Sequence, residues 1–423
     1  MRILLLGQFF DPEPAVKGLS FAKKLADHGH QVEVLTGFPN YPGGRLYPGY
    51  SLRPWRVEVI DGIRINRVPL YPSHDKSGLR RIANYASFAL SAATIGLCLV
   101  QRPDVIYCYH PPATVGLAAV ALSTFKHCPF VYDIQDLWPD TVAASGMLRS
   151  RSALAVIDAW CRWIYSRADH ITVLSPGFKR RLVERGVPDR KITVVYNWSD
   201  ESKIRRVNRD EALAISLGMA GRFNLTFAGT MGLVQSLDTV LDAAALLTEQ
   251  YPLIQFVFIG GGIDKGRLMA QASQRSLRNV LFLPRQSPED MSPIFALSDA
   301  LLVHLKDDPL FRVTIPSKTQ TYMAVGRPVL MAVRGDAADL ITQSGCGIVV
   351  PPEEPKALSE AAIRLFEMPE AERSAMGDRG YDFYKRELSM GSGIARFERI
   401  FAALAGGRGQ SQPGESFARG HPD

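Results

Sequence analysis

The chain has 423 residues, 46% of them hydrophobic and 22% charged, and its formal net charge is +7. The length allows two domains of ordinary size, and the composition excludes a disordered chain. The positive charge suits anionic partners, but the absence of a zinc finger, an RNA-binding signature or a dense basic block argues against nucleic acid.

The first half of the chain alternates short apolar runs with helical patterns, which is typical of a doubly wound parallel sheet. Two runs, Val57–Ile60 and Ile63–Val68, flank Asp61-Gly62 and are predicted to form a hairpin. The other predicted strands of this half are Arg2–Leu6, Gln31–Thr36, Val105–Tyr109, Phe130–Tyr132, Ile171–Leu174 and Ile192–Tyr196.

The uncharged run Ile82–Val100 is about as long as a membrane span. Four polar residues interrupt it, so we interpret it as a buried or interfacial helix. Lys76, Arg80 and Arg81 precede the run and would suit contact with anionic lipid, although a solvated basic helix start explains them equally well.

Ligands of doubly wound sheets bind beyond the carboxyl ends of the strands, so the turns there are the candidate sites. The first turn, Gln8–Gly18, is long and lacks the Gly-x-Gly-x-x-Gly pattern of dinucleotide-binding proteins. A later turn holds Asp136 beside Trp138, a pair that can grip a sugar, although Asp136 could equally cap the next helix. His110 ends a strand and is either a site residue or an ordinary loop histidine.

The pattern restarts in the second half with a strand at Leu225–Ala228, which predicts a second module of the same architecture. Its first turn contains Gly229, Thr230 and Gly232, and its second contains Gly260 and Gly261, so backbone N–H groups could approach a phosphate there. The further predicted strands are Gln255–Ile259, Val280–Leu283, Ala300–Leu305, Val329–Val333 and Gly347–Val350.

The segment Thr314–Pro328, TIPSKTQTYMAVGRP, predicts a turn and a short helix with Pro316 in its first turn. Lys318 lies near the start of this helix, where the helix dipole disfavours a cation by roughly 0.3–1 kcal/mol. A bound anion beside Lys318 explains the residue better than a solvated lysine does. Arg285 and Lys306 also follow strands and could reach a phosphate, whereas the adjacent Asp307 and Asp308 are a poor metal site.

These strings resemble the family 4 glycosyltransferases of the GT-B fold up to about Leu404. The resemblance rests on PSKTQTYMAVGRP, MRILLLGQFFDPEP, HGHQVEVLTGFPNYPGG, VYDIQDLWPD and FAGTMGLVQSLDTVLDAAA. The combination of TGFPNYP with DLWPD is similar to a bacterial surface-polysaccharide subgroup whose best-known type transfers N-acetyl-L-fucosamine.

The resemblance implies an α/β protein of GT-B class with two facing Rossmann-like parallel-sheet domains. Residues 1–200 would form the acceptor domain and 201–385 the donor domain, with Ser199–Gly221 as linker. A helix over 386–405 would pack back towards the first domain, and 406–423, rich in Gly, Ser and Pro, would be a disordered tail.

The implied activity is transfer, with retention, of a sugar from a UDP-sugar to a polyprenyl-diphosphate-linked saccharide in O-antigen, capsule or exopolysaccharide assembly. The sugar would be an N-acetylated deoxyhexosamine such as L-FucNAc. No metal and no cofactor beyond the UDP-sugar are expected. The enzyme would be cytoplasmic, attached to the inner face of the cytoplasmic membrane, and other assembly enzymes could be partners. Five scattered cysteines agree with a reducing compartment.

The resemblance also assigns residues to roles. Asp136 and Lys318 would be catalytic, Asp136 by orienting a sugar and Lys318 by binding the departing diphosphate. The predicted donor-binding residues are Gly229, Thr230, Gly232, Gly260, Gly261, Arg285, Lys306, Pro316, Ser317 and Thr321. The predicted acceptor-binding residues are Glu13, Gly18, Asn40, His110 and Trp138.

The chain departs from the family pattern at four positions. Val313 and Thr321 stand where many members carry two glutamates, the second of which grips a ribose. Thr230 and Gln235 stand where many carry an Arg and Lys pair on the diphosphate. Two alternatives therefore stay open: a GT-B-like nucleotide-sugar epimerase, and a non-catalytic nucleotide-sugar-binding scaffold in a polysaccharide assembly complex.

Overall fold

The structure is a computed structural model that describes residues 1–73, 78–144, 148 and 150–406. Apart from residue 406, the predicted tail lies outside the described residues. The chain divides into two compact units. Unit 1 contains Met1–Thr172, Val187–Thr193 and the residues from Ile394 onward, and unit 2 contains Val173–Gly186 and Val194–Gly393.

The first sheet has eight strands in the order β3-β4-β2-β1-β5-β6-β7-β8. β1 pairs in parallel with β2 and β5, which places a topological switch point between β1 and β5. The strands are β1 (Arg2–Gly7), β2 (Gln31–Gly37), β3 (Arg56–Ile60), β4 (Ile63–Val68), β5 (Val105–His110), β6 (Phe130–Ile134), β7 (His170–Val173) and β8 (Ile192–Val194).

The predicted hairpin is confirmed, because β3 runs antiparallel to β4. Asp61 and Gly62 between them have φ angles of 51° and 81°, the conformation of the tight hairpin turn that an Asp-Gly pair favours. The helices connecting the strands of this sheet are α1 (Leu19–Asp27), α2 (Gly78–Leu99), α3 (Val115–Lys126), α4 (Asp140–Ala144), α5 (Arg151–Arg167) and α6 (Pro176–Glu184).

Helix α2 is the one helix among the described residues that is long and apolar enough to cross a membrane, and a third of its most apolar stretch is buried. Its buried Asn84 donates hydrogen bonds to the Tyr71 carbonyl at 2.7 Å and to Asn40 Oδ1 at 3.2 Å. These bonds tie one face of α2 to unit 1.

The second sheet has six strands in the order β11-β10-β9-β12-β13-β14, and all five neighbouring pairs are parallel. The switch point lies between β9 and β12. The strands are β9 (Phe223–Thr230), β10 (Ile254–Gly261), β11 (Val280–Leu283), β12 (Ala300–His304), β13 (Val329–Ala332) and β14 (Gly347–Val350).

Helices cover this sheet, and its inward side chains form a core with Phe227, Phe256 and Phe258 at its centre. The two Rossmann-like sheets confirm the predicted α/β fold class. The helices are α7 (Glu211–Ser216), α8 (Asp238–Leu247), α9 (Lys265–Gln274), α10 (Met291–Ala296), α11 (Ser317–Ala324), α12 (Asp336–Ser344), α13 (Pro355–Glu367), α14 (Glu370–Phe383) and α15 (Met390–Gly406).

The observed units differ from the predicted domains at α6, because Val173–Gly186 belongs to unit 2. The Ser175 hydroxyl donates to the Val313 carbonyl at 2.6 Å, and Arg180 pairs with Asp336 at 2.8 Å. The predicted linker Ser199–Gly221 also belongs to unit 2 and contains α7.

At the other end, the predicted 386–405 helix is observed as a π-helical turn, Tyr384–Leu388, followed by α15. From Ile394 onward α15 belongs to unit 1, where the Phe397 ring lies 5.5 Å from Phe21 and 5.3 Å from Tyr107 between centroids.

Candidate functional site

Two groups of residues lie at the carboxyl ends of the two sheets, one in each unit. In unit 2 the switch-point strand β9 ends at Gly229 and Thr230, and Gly229 has a φ of 137°, which favours glycine. A Cβ at Gly229 would lie 3.5 Å from Lys318 Nζ, an ordinary contact distance, so the lysine lies directly beside this strand end. We call Gly229–Ser236 together with Lys318 the donor turn.

Lys318 brings a buried cation to the donor turn. Its Nζ atom is fully buried, lies 3.6 Å from the centroid of the Phe227 ring, and has no hydrogen-bond partner among the described residues. Burial lowers the pKa of Lys318 from 10.5 to about 7. A buried ammonium without an anion is costly, and a bound phosphate would supply the missing partner.

A hydrogen-bond network fixes the donor turn in place. The Gly232 N–H donates to Gln235 Oε1 at 3.1 Å, and His304 Nδ1 lies 2.8 Å from the Gln235 carbonyl. Glu353 accepts from the Ser236 hydroxyl at 3.1 Å and from the Asp307 N–H at 2.9 Å. These bonds pre-organise the turn, which is the condition for electrostatic stabilisation without reorganisation.

His304 and Glu353 were not predicted from the sequence. His304 is fully buried at the end of β12, where burial lowers its pKa, and its second nitrogen accepts the Glu353 N–H at 3.3 Å. Both ring nitrogens are thus used to hold the turn. The one sequence signal is that His304 ends a strand next to the switch point.

Backbone packing explains why glycine is required at positions 260 and 262, at the end of β10. Gly260 and Gly262 have φ angles of 134° and 145°, and a Cβ on either would collide with the backbone oxygen of Gly229 or Met231. They allow the ends of β9 and β10 to approach closely, so the requirement for glycine at 260 comes from neighbouring backbone. Gly261 has open space around its Cβ position.

The remaining predicted donor residues differ in their surroundings. The Thr321 hydroxyl donates to the Ser317 carbonyl at 3.2 Å and lies 3.1 Å from Ser199 Oγ, so local partners already occupy it. Pro316 caps α11. The residues with exposed side chains are Thr230, Arg285, Lys306 and Ser317.

The carboxylates after β12 have partners. Asp307 pairs with Arg312 at 2.9 Å and with Arg334 at 3.1 Å, and Asp308 accepts the Leu310 N–H at 2.8 Å. Among the described residues, no group of three or more His, Cys, Asp or Glu side chains could hold a metal ion.

In unit 1 an aromatic pocket of about 370 Å³ lies beyond the carboxyl ends of the strands around the switch point. We call it the aromatic pocket; its lining comes from β5, from the turns after β1, β2, β5 and β6, and from α2 and α4. The lining residues are Phe9, Pro14, Tyr41, Tyr85, Tyr109, Pro111, Asp136, Trp138, Thr141 and Val142.

Asp136 is the carboxylate of the aromatic pocket. Burial raises its pKa, and no described residue donates a hydrogen bond to its side chain. An unpaired carboxylate among aromatic rings can accept hydrogen bonds from hydroxyl groups while the rings cover the apolar faces of a sugar. Asp136 and Trp138 were predicted here, whereas Phe9, Tyr41, Tyr85 and Tyr109 were not.

Glu13 and Asn40 are not among the lining residues of the pocket, and their predicted role in acceptor binding stays a prediction. The Glu13 carboxylate accepts backbone N–H groups from Phe10 at 3.3 Å, Asn40 at 2.7 Å and Tyr41 at 2.7 Å. The Asn40 amide donates to the Phe38 carbonyl at 3.0 Å. Both residues therefore hold the loops that carry the aromatic rings.

Gly18 and His110 also lie outside the lining. The Cβ position of Gly18 is taken by the Asp11 carboxylate, which accepts the Leu19 N–H at 2.6 Å. His110 is buried with its ring centroid 6.0 Å from that of Trp138, and burial lowers its pKa to about 3. An imidazole that stays neutral at physiological pH supports the wall of the pocket through packing.

A buried ion pair joins the loop after β1 to strand β6, beside the aromatic pocket. Lys17 Nζ lies 2.7 Å from Asp133 Oδ2, and both side chains are fully buried. Asp133 also accepts hydrogen bonds from Tyr107 at 2.6 Å and Thr172 at 2.6 Å. Lys17 ends the loop that contains Phe9 and Pro14, and Asp133 precedes Asp136, so the pair fixes both walls.

Comparison with known proteins relates both halves of the chain to glycosyltransferases. Residues 15–198 match the family described as "Glycosyl transferase 4-like domain", and residues 211–383 match "Glycosyl transferases group 1". WcaI of Escherichia coli K12, named as a glycosyl transferase of colanic acid biosynthesis, is 29% identical over 85% of this chain and 90% of its own. WbjE of Pseudomonas aeruginosa, named as a glycosyltransferase, is 25% identical over 63% of this chain and 67% of its own.

Among solved structures, HepE of Anabaena in complex with UDP has a TM-score of 0.70 at 15% identity, covering 96% of this chain and all of the other. At that identity the likeness concerns the fold alone. It confirms the predicted GT-B class.

Proposed function

Because one half of the chain matches the glycosyl transferase 4-like domain and the other matches the group 1 glycosyl transferases, we propose that the protein transfers a sugar from a UDP-sugar to a polyprenyl-diphosphate-linked saccharide. Its similarity to WcaI, a glycosyl transferase of colanic acid biosynthesis, supports this proposal. The anomeric configuration would be retained, and the product would enter O-antigen, capsule or exopolysaccharide assembly. The observation that carries the proposal is the buried, unpartnered Nζ of Lys318 beside the donor turn. UDP is the chosen carrier because HepE, which shares the fold, binds it.

In the proposed mechanism the protein stabilises the departing diphosphate electrostatically and positions the reacting groups. The donor's β-phosphate takes the proton of the acceptor hydroxyl as the bond between sugar and diphosphate breaks. Lys318 and the N–H groups of the donor turn stabilise the negative charge of the departing diphosphate. We propose that no metal is needed, and the engagement of Asp307 with Arg312 and Arg334 supports this.

The aromatic pocket is proposed as the acceptor subsite. Its volume of about 370 Å³ accommodates at least one sugar ring, and Asp136 is its hydrogen-bonding carboxylate. Asp136 would orient the reacting hydroxyl, and well-oriented reactants contribute a large part of the rate enhancement in group transfer.

Replacing Asp136 by Asn should lower kcat/KM for the acceptor about 10- to 200-fold, because a hydrogen bond to a charged group contributes roughly 1.5–3 kcal/mol. The affinity for UDP should stay unchanged. Because burial raises the pKa of Asp136, acceptor kcat/KM should also fall with decreasing pH through that raised pKa. Asp140→Asn, four residues along and outside the pocket, is the matched control, and equal losses in both variants would contradict the role.

We propose an N-acetylated deoxyhexosamine such as L-FucNAc as the transferred sugar. The support is the TGFPNYP and DLWPD strings of the sequence. The altered ribose site agrees with an unusual donor contact: Val313 packs against Gly177, and the Thr321 hydroxyl is bonded within unit 2.

The direct test supplies UDP-linked amino-sugars, UDP-glucose and UDP-galactose with a synthetic prenyl-diphosphate-linked saccharide. The expected result is UDP release that requires the acceptor and peaks with one UDP-N-acetyl-deoxyhexosamine. Donor consumption without acceptor would favour the epimerase instead. Tight donor binding with no transfer to any acceptor would favour the scaffold, which the missing glutamates at Val313 and Thr321 support.

UDP affinity should depend on pH through Lys318, whose pKa is about 7 in the free protein. Binding a diphosphate raises that pKa, so binding takes up a proton. The Kd for UDP should therefore increase above pH 7, by up to about tenfold per pH unit, until the pKa of the complex is reached. Calorimetry between pH 7 and 9 measures this, and Lys318→Arg, which stays charged, should flatten the profile.

Peripheral attachment to the inner face of the cytoplasmic membrane is proposed from the outward face of α2. Leu79, Ile82 and Leu90 are 80%, 40% and 62% exposed, while Arg80 is exposed beside them. An amphipathic surface with apolar side chains next to basic ones is typical of helices that lie in the membrane interface. This attachment would bring the enzyme to its lipid-linked acceptor and to other assembly enzymes.

Changing Leu79, Ile82 and Leu90 together to Gln should weaken sedimentation with anionic vesicles at least about tenfold, since inserting each apolar side chain contributes on the order of 1 kcal/mol. The matched control changes Ile215, Leu253 and Met269, which are similarly exposed in unit 2. An equal loss of vesicle binding in both triple variants would argue against α2 as the contact.

A further inference from the structure

A second polar cavity in unit 2 lies at the amino ends of its strands, away from the donor turn. It has a volume of about 200 Å³, and its lining includes Asp299 and Pro328, which directly precede β12 and β13. The donor turn lies at the carboxyl ends of the same sheet. With a rise of about 3.3 Å per residue, the length of β12 separates the two places by roughly 16 Å.

Four arginines line this cavity: Arg206, Arg209, Arg327 and Arg373. We call it the arginine cavity. Only two carboxylates, Asp299 and Glu370, share the lining. So many guanidinium groups around one small opening repel one another unless an anion lies between them.

Two of these arginines have no ion-pair partner among the described residues. Arg327 donates to the Ala296 carbonyl at 2.5 Å, and Arg373 donates to the Leu365 carbonyl at 3.3 Å. A guanidinium has five N–H donors in a planar fork, so each of the two keeps donors to spare after its carbonyl contacts. The carbonyl contacts hold the two guanidinium groups in place but do not supply the direct carboxylate partner that an ion pair would.

The other two arginines form surface pairs that water and salt screen. Arg206 pairs with Asp378 and Arg209 with Glu211, and all four side chains are about 35–60% exposed. Exposed pairs of this kind contribute little to stability, so an entering anion could compete for these guanidinium groups.

Asp299 interacts electrostatically with Arg209, Arg327 and Arg373, but it forms no direct ion pair with them, and one carboxylate cannot balance several guanidinium groups. Its carboxylate accepts the Asn224 N–H at 2.8 Å, and burial raises its pKa. One of its carboxylate oxygens is thus already hydrogen-bonded to strand β9, and the side chain forms part of the cavity wall.

We propose that the arginine cavity binds a phosphate group, separately from the UDP-sugar site. Guanidinium forks match phosphate oxygens in geometry as well as charge, and the cavity has room for one phosphate with part of its substituent. The phosphate could come from a soluble phosphorylated compound or from the headgroup of an anionic lipid.

The test is calorimetric titration of the full chain with inorganic phosphate and with pyrophosphate. It is carried out on Lys318→Met, in which anion binding at the donor turn is removed. We expect saturable binding that Arg327→Gln and Arg373→Gln each weaken at least tenfold. Arg275→Gln, a surface arginine paired with Asp242, should leave the Kd unchanged.

Arg327→Gln and Arg373→Gln each remove a carbonyl contact and could unfold the protein. Arg206→Gln is therefore tested as well, because it removes only a surface ion pair with Asp378. Sedimentation with phosphatidylglycerol vesicles separates the two sources: binding that Arg206→Gln and Arg373→Gln weaken identifies the lipid headgroup. The proposal is overturned if neither phosphate probe binds saturably and the variants sediment with the vesicles to the same extent as the unchanged protein. A Kd that is the same in every arginine variant overturns it as well.

Discussion

Replacing Lys318 by Met should lower kcat for sugar transfer about 10²- to 10³-fold while the protein stays folded. The expected loss corresponds to roughly 2.7–4 kcal/mol, the usual effect of removing one preorganised group that stabilises developing negative charge. The fold should survive because Lys318 Nζ has no hydrogen-bond partner among the described residues. Steady-state kinetics with donor and acceptor, beside a thermal melt of each variant, measure both effects.

The same substitution should stabilise the ligand-free protein, with a definite pH dependence. The pKa of Lys318 falls from 10.5 in the unfolded chain to about 7 in the folded one. Between these values the unfolded chain binds the extra proton, so the stability of the wild type rises with pH. The gain from Lys318→Met should therefore be largest below pH 7 and decline as pH increases towards 10.5.

Lys265 provides the matched control for this result. Its Nζ donates to the Gly260 and Leu283 carbonyls, each at 2.9 Å. Lys265 therefore lies at the same edge of the sheet as Lys318 but already has hydrogen-bond partners. Lys265→Met should destabilise the protein and keep the response to UDP. The account of Lys318 would be contradicted if Lys318→Met transferred sugar at a rate near that of the wild type.

Replacing Lys17 by Met should lower the free energy of unfolding by about 3–5 kcal/mol, because Asp133 would be left as a buried charge without its counterion. The hydrogen bonds from Tyr107 and Thr172 should keep the loss near the lower end of this range. Chemical denaturation measures the change. Acceptor kcat/KM should fall together with stability, since the pair holds both walls of the aromatic pocket.

Two variants separate this effect from a general loss of charge. The double variant Lys17→Met with Asp133→Asn removes both charges and should recover part of the stability that the single variant loses. Lys23→Met breaks a pair with Asp61 in which the side chains are 46% and 52% exposed, and it should cost less than about 1 kcal/mol. Equal losses in Lys17→Met and Lys23→Met would show that burial of the pair is unimportant.

The sequence predicted the fold well because the signals were local. Strands such as β1 and β10 are recognised from short, nearly continuous apolar runs. The pair Asp61-Gly62 favours a hairpin turn through its own backbone conformation. Lys318 could also be found locally, since a cation near a helix start is unfavourable until an anion is added.

The sequence could not show contacts between residues that are distant in the chain. The resemblance assigned Glu13 to acceptor binding, and the structure adds that its carboxylate accepts the backbone N–H groups of Asn40 and Tyr41. Tyr85 of α2 lines the aromatic pocket, a contact that the apolar composition of its helix did not indicate. Assignment of α6 to unit 2 depends on bonds to Val313 and Asp336, more than a hundred residues later.

The central claim is that the donor turn with Lys318 binds a uridine diphosphate sugar. The most direct test is a thermal-shift comparison of the wild type and Lys318→Met with UDP, GDP, ADP, dTDP and CMP. At about 100 times its Kd a ligand should stabilise the folded protein by roughly 2.7 kcal/mol. The account predicts a clear shift of the wild type with UDP and a lost or greatly reduced shift of Lys318→Met. No shift with any nucleotide, or an equal shift in both proteins, would contradict it.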